Sequence, residues 1–255
     1  MSRTPHFRVT PVAEDVHLVD AGSVNWILVG EGDALTLIDG GYPAHADAVE
    51  ASIREIGRRP EDVAAVLVTH AHVDHIGSLG RFAARYGTPV HTGATETAHA
   101  HRDFLEQATP GQVLANVWRP RVLPWALHIV AAGALGAHRL EAATPFPVEG
   151  ALDLPGSPVP VETPGHTSGH TCYHLPERGV LVTGDALGTG QPLTAFEGPQ
   201  PLVSMFHHDR GRMMDSWSIL AELDADHLLP GHGPAWRGTP RKAVEQARLN
   251  ASRVW

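Results

Sequence analysis

Four side chains of the kinds that bind metal ions stand within six residues of one another, in the string Thr69-His70-Ala71-His72-Val73-Asp74-His75. The string follows an apolar run and precedes a helical pattern, which predicts the end of a strand and the start of a helix. In extended backbone, residues i and i+2 point to the same side, so His70 and His72 can hold one metal ion. Where the chain turns into the helix, Asp74 and His75 point elsewhere and reach a second ion.

Three further segments each carry one metal-binding side chain beside a glycine. They are Thr163-Pro164-Gly165-His166-Thr167, Thr183-Gly184-Asp185-Ala186 and Leu229-Pro230-Gly231-His232-Gly233. Each follows a predicted strand, and glycine lets the backbone approach a site where a Cβ would intrude. Together with the first string they supply seven ligands, enough for two ions. Imidazole and carboxylate without thiolate favour Zn2+, two per chain, and are also compatible with iron or manganese.

Such a set of ligands indicates hydrolytic chemistry. Two divalent cations about 3.5–4 Å apart hold a water between them, lower its pKa to near 7 and present hydroxide to a carbonyl or phosphoryl group. Asp74 is the carboxylate expected to hold the nucleophile and to pass its proton to the leaving group, which makes it the predicted catalytic residue. Asp74 and Asp185 also offset part of the charge of the cations.

Alternating strands and helices must position these groups. In the first half, we predict strands at 16–19, 24–29, 34–38 and 64–69 and helices that end at Gly57 and Gly87. In the second half, we predict strands at 159–162, 171–175, 179–183 and 226–229. A helix through Met213, Trp217 and Leu220 and a last helix capped by Thr239-Pro240 complete the pattern.

A different segment, at about residues 94–145, separates the two halves. Thr109-Pro110-Gly111-Gln112 has the form of a capping box, so the segment predicts an inserted pair of helices. From Trp125 to Leu135 the chain is apolar nearly all round. This pattern indicates either a helix packed wholly on the core or a lid over an apolar substrate. We expect one domain over residues 1–255 with this helical insertion.

The composition indicates which classes of partner the chain is expected to bind. The 255 residues carry 19 Lys and Arg against 28 Asp and Glu, a formal net charge of −9. We therefore expect a small-molecule substrate and no nucleic acid, which needs clustered basic residues. No apolar run approaches the ~20 residues of a membrane span, so no membrane partner is expected either. The polar start at residues 1–6 and the single Cys172 predict a cytoplasmic protein without disulfides, and the oligomeric state stays open.

Taken together, these motifs resemble those of the metallo-β-lactamase superfamily. The matching pieces are Leu37-Ile38-Asp39-Gly40-Gly41, the H-x-H-x-D-H string at 70–75, His166, Asp185 and His232. The resemblance implies an α/β fold, a four-layer αββα sandwich with the metal site at one edge. It also implies that His70, His72 and His166 bind the first metal, that Asp74, His75 and His232 bind the second, and that Asp185 bridges the two.

We expect several other side chains to have orienting, structural or surface roles rather than to bind metal. In the implied arrangement, Asp39 orients a ligand histidine or its loop by accepting hydrogen bonds. We expect His170 to be structural and Cys172 to pack in the core without reactivity. For His207 and His208 we expect a surface pair, with a position at the rim of the pocket as the alternative.

The subgroups of the superfamily leave several reactions open. Zinc β-lactamases generally lack an aspartate at the Asp185 position, and quorum-quenching lactonases carry a tyrosine where this chain has Gly188. The basic residues Arg241 and Lys242 lie in a capped helix, which disfavours glutathione recognition of the glyoxalase II kind. The leading hypothesis is a dinuclear hydrolase of an ester, lactone or thioester of a moderately apolar small molecule. The alternatives are a mono-iron persulfide dioxygenase and a β-lactamase-like or phosphodiesterase-like hydrolase.

Overall fold

Two β-sheets packed face to face form the centre of the molecule. The computed structural model describes residues 6–136 and 138–255, so residues 1–5 of the predicted polar start lie outside the described part. The first sheet has seven strands in sequence order: β1 (Arg8–Ala13), β2 (Val16–Asp20), β3 (Asn25–Glu31), β4 (Ala34–Ile38), β5 (Val63–Leu67), β6 (Val90–Thr92) and β7 (Ala143–Pro145). Strands β1 to β4 are antiparallel, and β4 to β7 are parallel.

The second sheet has five strands, and here too strands that are consecutive in sequence are neighbours. They are β8 (Val159–Glu162), β9 (Thr171–Leu175), β10 (Val180–Gly184), β11 (His227–Pro230) and β12 (Trp236–Arg237). Only β10 and β11 are parallel. Strand residues alternate between the two faces of a sheet, so each sheet has an inner and an outer apolar face.

Apolar side chains from both sheets interdigitate between them. Leu18 and Ile27 of the first sheet lie in one buried cluster with Tyr173 and Val182 of the second. The neighbouring residue Leu28 belongs to the cluster on the outer face of the first sheet. A one-residue register shift in β3 would exchange these faces and expose the core, so the apolar pattern fixes the register.

Helices cover both outer faces. The described helices are α1 (Ala46–Glu55), α2 (Val73–Ile76), α3 (Leu79–Tyr86), α4 (Ala94–Ala100), α5 (Pro110–Ala115), α6 (Val122–Ala131), α7 (Arg210–Leu220) and α8 (Pro240–Asn250). Val49 of α1 and Phe82 of α3 pack on the first sheet. Trp217 of α7 and Val244 of α8 pack on the second. The layer order is therefore helix, sheet, sheet, helix, which confirms the predicted αββα sandwich.

The bounds of the predicted strands and helices agree with the structure to within one or two residues. Four strands, β1, β6, β7 and β12, and the helix α4 were not predicted. Three of the missed strands have only two or three residues, too few for a period of two to be visible in the sequence. The capping box is present: Thr109 Oγ1 accepts from Gln112 N, and Gln112 Oε1 accepts from Thr109 N. Among the described residues, no helix combines the length and apolar character that crossing a membrane requires.

Candidate metal centre

All seven predicted ligands follow the carboxyl ends of strands: five lie in loops, whereas Asp74 and His75 lie in the short helix α2. The string 70–75 runs from β5 into α2, whereas His166 follows β8, Asp185 follows β10 and His232 follows β11. Because these strands end at the same edge of the sandwich, four segments from both sheets converge there. The backbone of Gly231 passes so close that a Cβ at this position would overlap Asp185 Oδ1, as the glycine pattern predicted.

Three histidines form the first part of the site, the three-histidine group of His70, His72 and His166. His166 Nε2 lies 3.1 Å from His70 Nε2 and 3.0 Å from His72 Nδ1. All three side chains are buried. Converging ring nitrogens in a buried space are the arrangement in which imidazoles bind a borderline cation.

Asp74, His75 and His232 form the second part, which we name the aspartate group. One ligand atom from each lies within 4.8 Å of the other two. Asp74 Oδ2 is 3.5 Å from His232 Nε2 and 4.0 Å from His75 Nε2.

Asp185 lies between the two groups and faces both. Its Oδ2 atom is 3.4 Å from His166 Nε2 and 3.2 Å from His232 Nε2. Its Oδ1 atom is 3.5 Å from His75 Nε2. The Oδ2 atom thus faces both groups and the Oδ1 atom faces the aspartate group, so the carboxylate lies where it could bridge two cations.

Two polar atoms at the centre lack hydrogen-bond partners, which bears on whether these residues fit cations. His75 Nε2 and Asp185 Oδ1 are buried, and neither has a hydrogen-bond partner among the described residues. A buried polar atom without a partner is destabilising, so such atoms in native proteins mark an ion, a water or a functional role. Both atoms face the ring nitrogens and carboxylates of the same centre, and the donor set therefore fits divalent cations.

Burial and charge act differently on the two groups. Burial lowers the pKa of His70 and of His166 well below the usual histidine range, so both rings are neutral and able to bind a cation. Burial also acts to lower the pKa of His75 and of His232, but the neighbouring carboxylates, Asp185 foremost, together outweigh it and leave both values raised. Without cations, His75 and His232 of the aspartate group therefore hold protons, because the nearby carboxylates favour positive charge at these positions.

Asp39 orients the loop between β5 and α2. Its Oδ2 atom accepts a hydrogen bond from His75 Nδ1 at 2.8 Å, and its Oδ1 atom accepts one from the Thr69 backbone N–H at 2.8 Å. With Nδ1 protonated, the Nε2 atom of neutral His75 faces the centre with a free lone pair. The structure thus places Asp39 where the resemblance put it.

Sequence reasoning missed a second orienting carboxylate, Glu96 of α4. This fully buried side chain accepts hydrogen bonds from the Ala71 backbone N–H, from His99 Nδ1 and from Thr167 Oγ1. Ala71 separates His70 from His72, and Thr167 follows His166. Burial acts to raise the pKa of Glu96, but the hydrogen bonds that it accepts from His99, Ala71 and Thr167 act together in the opposite direction, so the pKa is lowered and the carboxylate stays ionised. Glu96 therefore ties together both loops of the three-histidine group.

The remaining predictions have mixed outcomes. His170 is structural, as predicted: its Nε2 accepts a hydrogen bond from the Asp185 backbone N–H at 3.1 Å. Cys172 is buried, and burial raises its pKa to about 12, which keeps the thiol unreactive. The prediction of a surface position is wrong for His207, whose Nδ1 atom lies 3.0 Å from His166 Nδ1. It is right for His208, which is exposed. Sequence position alone does not show that the loop before α7 turns inward.

An apolar cavity of about 490 Å³ opens onto the centre. Asp74, Asp185 and His232 line its inner end. Apolar side chains of the insertion line much of the remainder: Val113, Leu114, Val117, Trp125, Ala126, Ile129, Val130, Ala134 and Leu135. Of the residues in α6, only Val122 is buried, so the alternative of a helix packed wholly on the core is wrong.

Comparisons with known proteins agree with this geometry. The sequence profile of the metallo-beta-lactamase superfamily matches residues 19–232. The metallo-beta-lactamase domain-containing protein 1 of Xenopus laevis is 28% identical over 219 residues, 85% of this chain and 72% of that protein. A hydroxyacylglutathione hydrolase of Halorhodospira halophila is 31% identical over 184 residues, 72% of this chain and 51% of that enzyme.

The fold is likewise shared with a solved structure, a subclass B3 metallo-beta-lactamase from a soil metagenome library. The match has a TM-score of 0.65 at 18% identity and covers 96% of this chain and 94% of the other. At this identity, the similarity concerns the fold and says nothing about the substrate. From the profile match over most of its length, together with the sandwich and the converging histidines and aspartates, the chain belongs to the metallo-β-lactamase superfamily of metal-dependent hydrolases.

Proposed function

We propose that the protein is a dinuclear metal-dependent hydrolase of an ester, lactone or thioester of a moderately apolar small molecule. One observation carries the proposal: the apolar cavity of about 490 Å³ has Asp74, Asp185 and His232 at its inner end. Ligand sites are typically concave and apolar, with a few convergent polar groups. A substrate held by the insertion therefore presents its bond to the centre.

The seven side chains have separate tasks in this proposal. The three-histidine group would hold one cation, the aspartate group would hold the second, and Asp185 would contact both. The nitrogen-rich, thiolate-free donor set favours zinc. When bound, two such cations supply an acidified water and polarise the carbonyl oxygen of the substrate.

Asp74 is the group placed to move a proton. Its side chain lines the cavity, and its Oδ2 atom lies 3.5 Å from His232 Nε2. A carboxylate at this point accepts a proton from attacking water and returns it to the leaving oxygen or sulfur. The buried side chain of Tyr42 lines the same space. Burial raises the pKa of its hydroxyl well above the usual tyrosine range, and the charges of Asp74 and Asp185 raise it further. Tyr42 therefore stays protonated and able to donate a hydrogen bond to substrate.

The relatives support a thioester among the candidate substrates. Hydroxyacylglutathione hydrolases from two bacteria are 27% and 31% identical to this chain over about seven-tenths of its length. Arg241 of this chain forms a surface ion pair with Glu222 and does not line the cavity. We therefore include a thioester bond among the candidate substrates and do not propose recognition of glutathione. Cytoplasmic residence, inferred from the single cysteine, belongs to the same proposal.

Metal analysis together with a substrate panel tests the proposal. We expect two zinc ions per chain and hydrolysis of esters, lactones or thioesters that a chelator abolishes. Intact turnover by metal-free protein would refute it. One iron per chain with oxygen uptake on a persulfide would establish the dioxygenase alternative instead.

A steric variant tests the role of the cavity. Ala126 of α6 lines the cavity, whereas Ala131 at the end of the same helix is exposed and lies outside the lining. Ala126→Phe should lower kcat/KM for long acyl chains about tenfold or more and leave acetyl esters nearly unchanged, because the added ring occupies space that only long chains need. Ala131→Phe is the matched control. Equal chain-length profiles for both variants would place the substrate elsewhere.

A further inference from the structure

The two inserted helices and the turns after them expose an unusual amount of apolar surface. Six large apolar side chains, the apolar rim, are between 47% and 74% exposed: Leu114, Trp118, Leu123, Leu127, Val130 and Leu135. A single exposed leucine is ordinary in a folded protein. Contiguous exposed apolar patches mark interaction sites.

The rim is continuous with the cavity. Leu123, Leu127 and Val130 are spaced i, i+4 and i+7 along α6, so they form one stripe on the helix. Leu114, Val130 and Leu135 are exposed and also line the cavity. The apolar surface therefore extends from the outside of the molecule into its interior.

Residues 107–140, the part of the insertion that carries the apolar rim, have a charge opposite to that of the whole chain, although the acidic Glu106 and Glu141 flank them. Residues 107–140 contain Arg119, Arg121 and Arg139 and no Lys, Asp or Glu, so they carry +3 and the other residues carry −12, for a total of −9. The guanidinium carbon of Arg119 lies 4.8 Å from the centroid of the Trp118 ring. The exposed Arg121 immediately precedes α6. Arg119 therefore contacts the apolar rim, and Arg121, whose guanidinium donates to the Thr194 carbonyl, lies two residues before Leu123 of the rim.

We propose that the apolar rim docks on the surface of a lipid bilayer containing anionic lipids. Apolar side chains next to arginine are the combination by which peripheral helices bind such surfaces. The cytoplasmic leaflet is negatively charged and attracts Lys and Arg. Docking of this kind needs no spanning helix, so it replaces the expectation of no membrane partner, which rested on the lack of a long apolar run.

A second copy of the chain fits the rim less well. In a two-fold dimer the same patch faces itself, so the arginines of one copy would approach those of the other without a carboxylate from residues 107–140 to pair them. An anionic bilayer supplies the opposite charge and places the mouth of the cavity against the lipid. Amphiphilic molecules could then enter the cavity without crossing water. Vesicle binding does not require hydrolysis, so this inference can fail or hold independently of the proposed reaction.

Vesicle flotation with the purified protein tests the inference. The probes are vesicles of phosphatidylcholine alone and of phosphatidylcholine with phosphatidylglycerol. We expect flotation with the mixed vesicles, less with the neutral ones, and a decrease at high salt because exposed charges are then screened. Replacing three rim residues that lie outside the cavity lining, as Trp118→Ser/Leu123→Ser/Leu127→Ser, should lower partitioning about tenfold or more while leaving the metal content unchanged.

The control is Leu249→Ser on α8, which removes a side chain that is 78% exposed and distant in sequence from the rim. This variant should float like the wild type. Three results would overturn the inference: no flotation of the wild type, equal flotation of the triple variant, or a wild-type dimer that the triple variant converts to monomers. The last result would assign the rim to a second copy of the chain.

Discussion

Replacing Asp39 by Asn is expected to weaken one of two metal sites and spare the other. The carboxylate accepts from His75 Nδ1 and from the Thr69 backbone, each at 2.8 Å. Asparagine tolerates the left-handed backbone of position 39, where φ is 62°, so the substitution adds little strain. It removes the charge, and its amide cannot accept from all the donors present. Hydrogen bonds to charged groups contribute about 1.5–3 kcal/mol, and loss of such an orienting partner lowers metal affinity about 10–100-fold.

Competition with a chelating dye measures the effect. In a stepwise zinc titration, the step that belongs to the aspartate group should weaken about 10–100-fold, and the other step should stay within about twofold. Asp33→Asn is the control, because the side chain of Asp33 is fully exposed and 3.6 Å from Arg58. Two unchanged steps in the Asp39 variant would show that the carboxylate does not orient His75. Equal weakening of both steps with a large fall in Tm would indicate general damage.

Four further outcomes are expected. Glu96→Gln should weaken the step that belongs to the three-histidine group about tenfold in the same titration, and an unchanged step would assign this carboxylate to packing alone. Since the carboxylates around His75 and His232, Asp185 foremost, together keep the pKa of both rings raised against the effect of burial, zinc must displace protons there. Affinity should therefore rise with pH, and calorimetry should give different heats in buffers of different ionisation enthalpy. Removing the metals should lower Tm by about 10 °C, as expected for the loss of about 4 kcal/mol at a metal concentration of ~1,000 Kd. Cys172 should react with a thiol reagent only after unfolding, and rapid reaction of the folded chain would contradict its burial.

The metal centre was predictable because its signals are local. His70 and His72 follow an apolar strand at a spacing of two, and His166 and His232 each follow a strand beside a glycine. The end of a strand is recognisable from a short sequence window, and the edge where strands end follows from the layer order. The positions of the ligands were therefore accessible before any coordinates.

The orienting groups were not predictable in the same way. Glu96 lies on a seven-residue helix, 25 residues from Ala71 and 71 residues from Thr167 in sequence, and it contacts both in space. The inward turn of His207 depends on contacts with His166 and with the Leu202 carbonyl. Contacts at such separations leave no periodic pattern, because they are set by how whole layers pack.

The insertion shows why the substrate is harder to infer than the chemistry. Its helices contribute little to the core: α5 has no buried residue, and α6 has only Val122. Substitutions at exposed or half-buried positions usually change stability by less than about 0.5 kcal/mol, so the lining of the cavity can vary without loss of the fold. A candidate ligand such as Asp185 has no such freedom, because its carboxylate lies between two groups of histidines. The proposed metal ligands are thus constrained by geometry, whereas the residues that line the cavity are constrained only by the shape and polarity of what they bind.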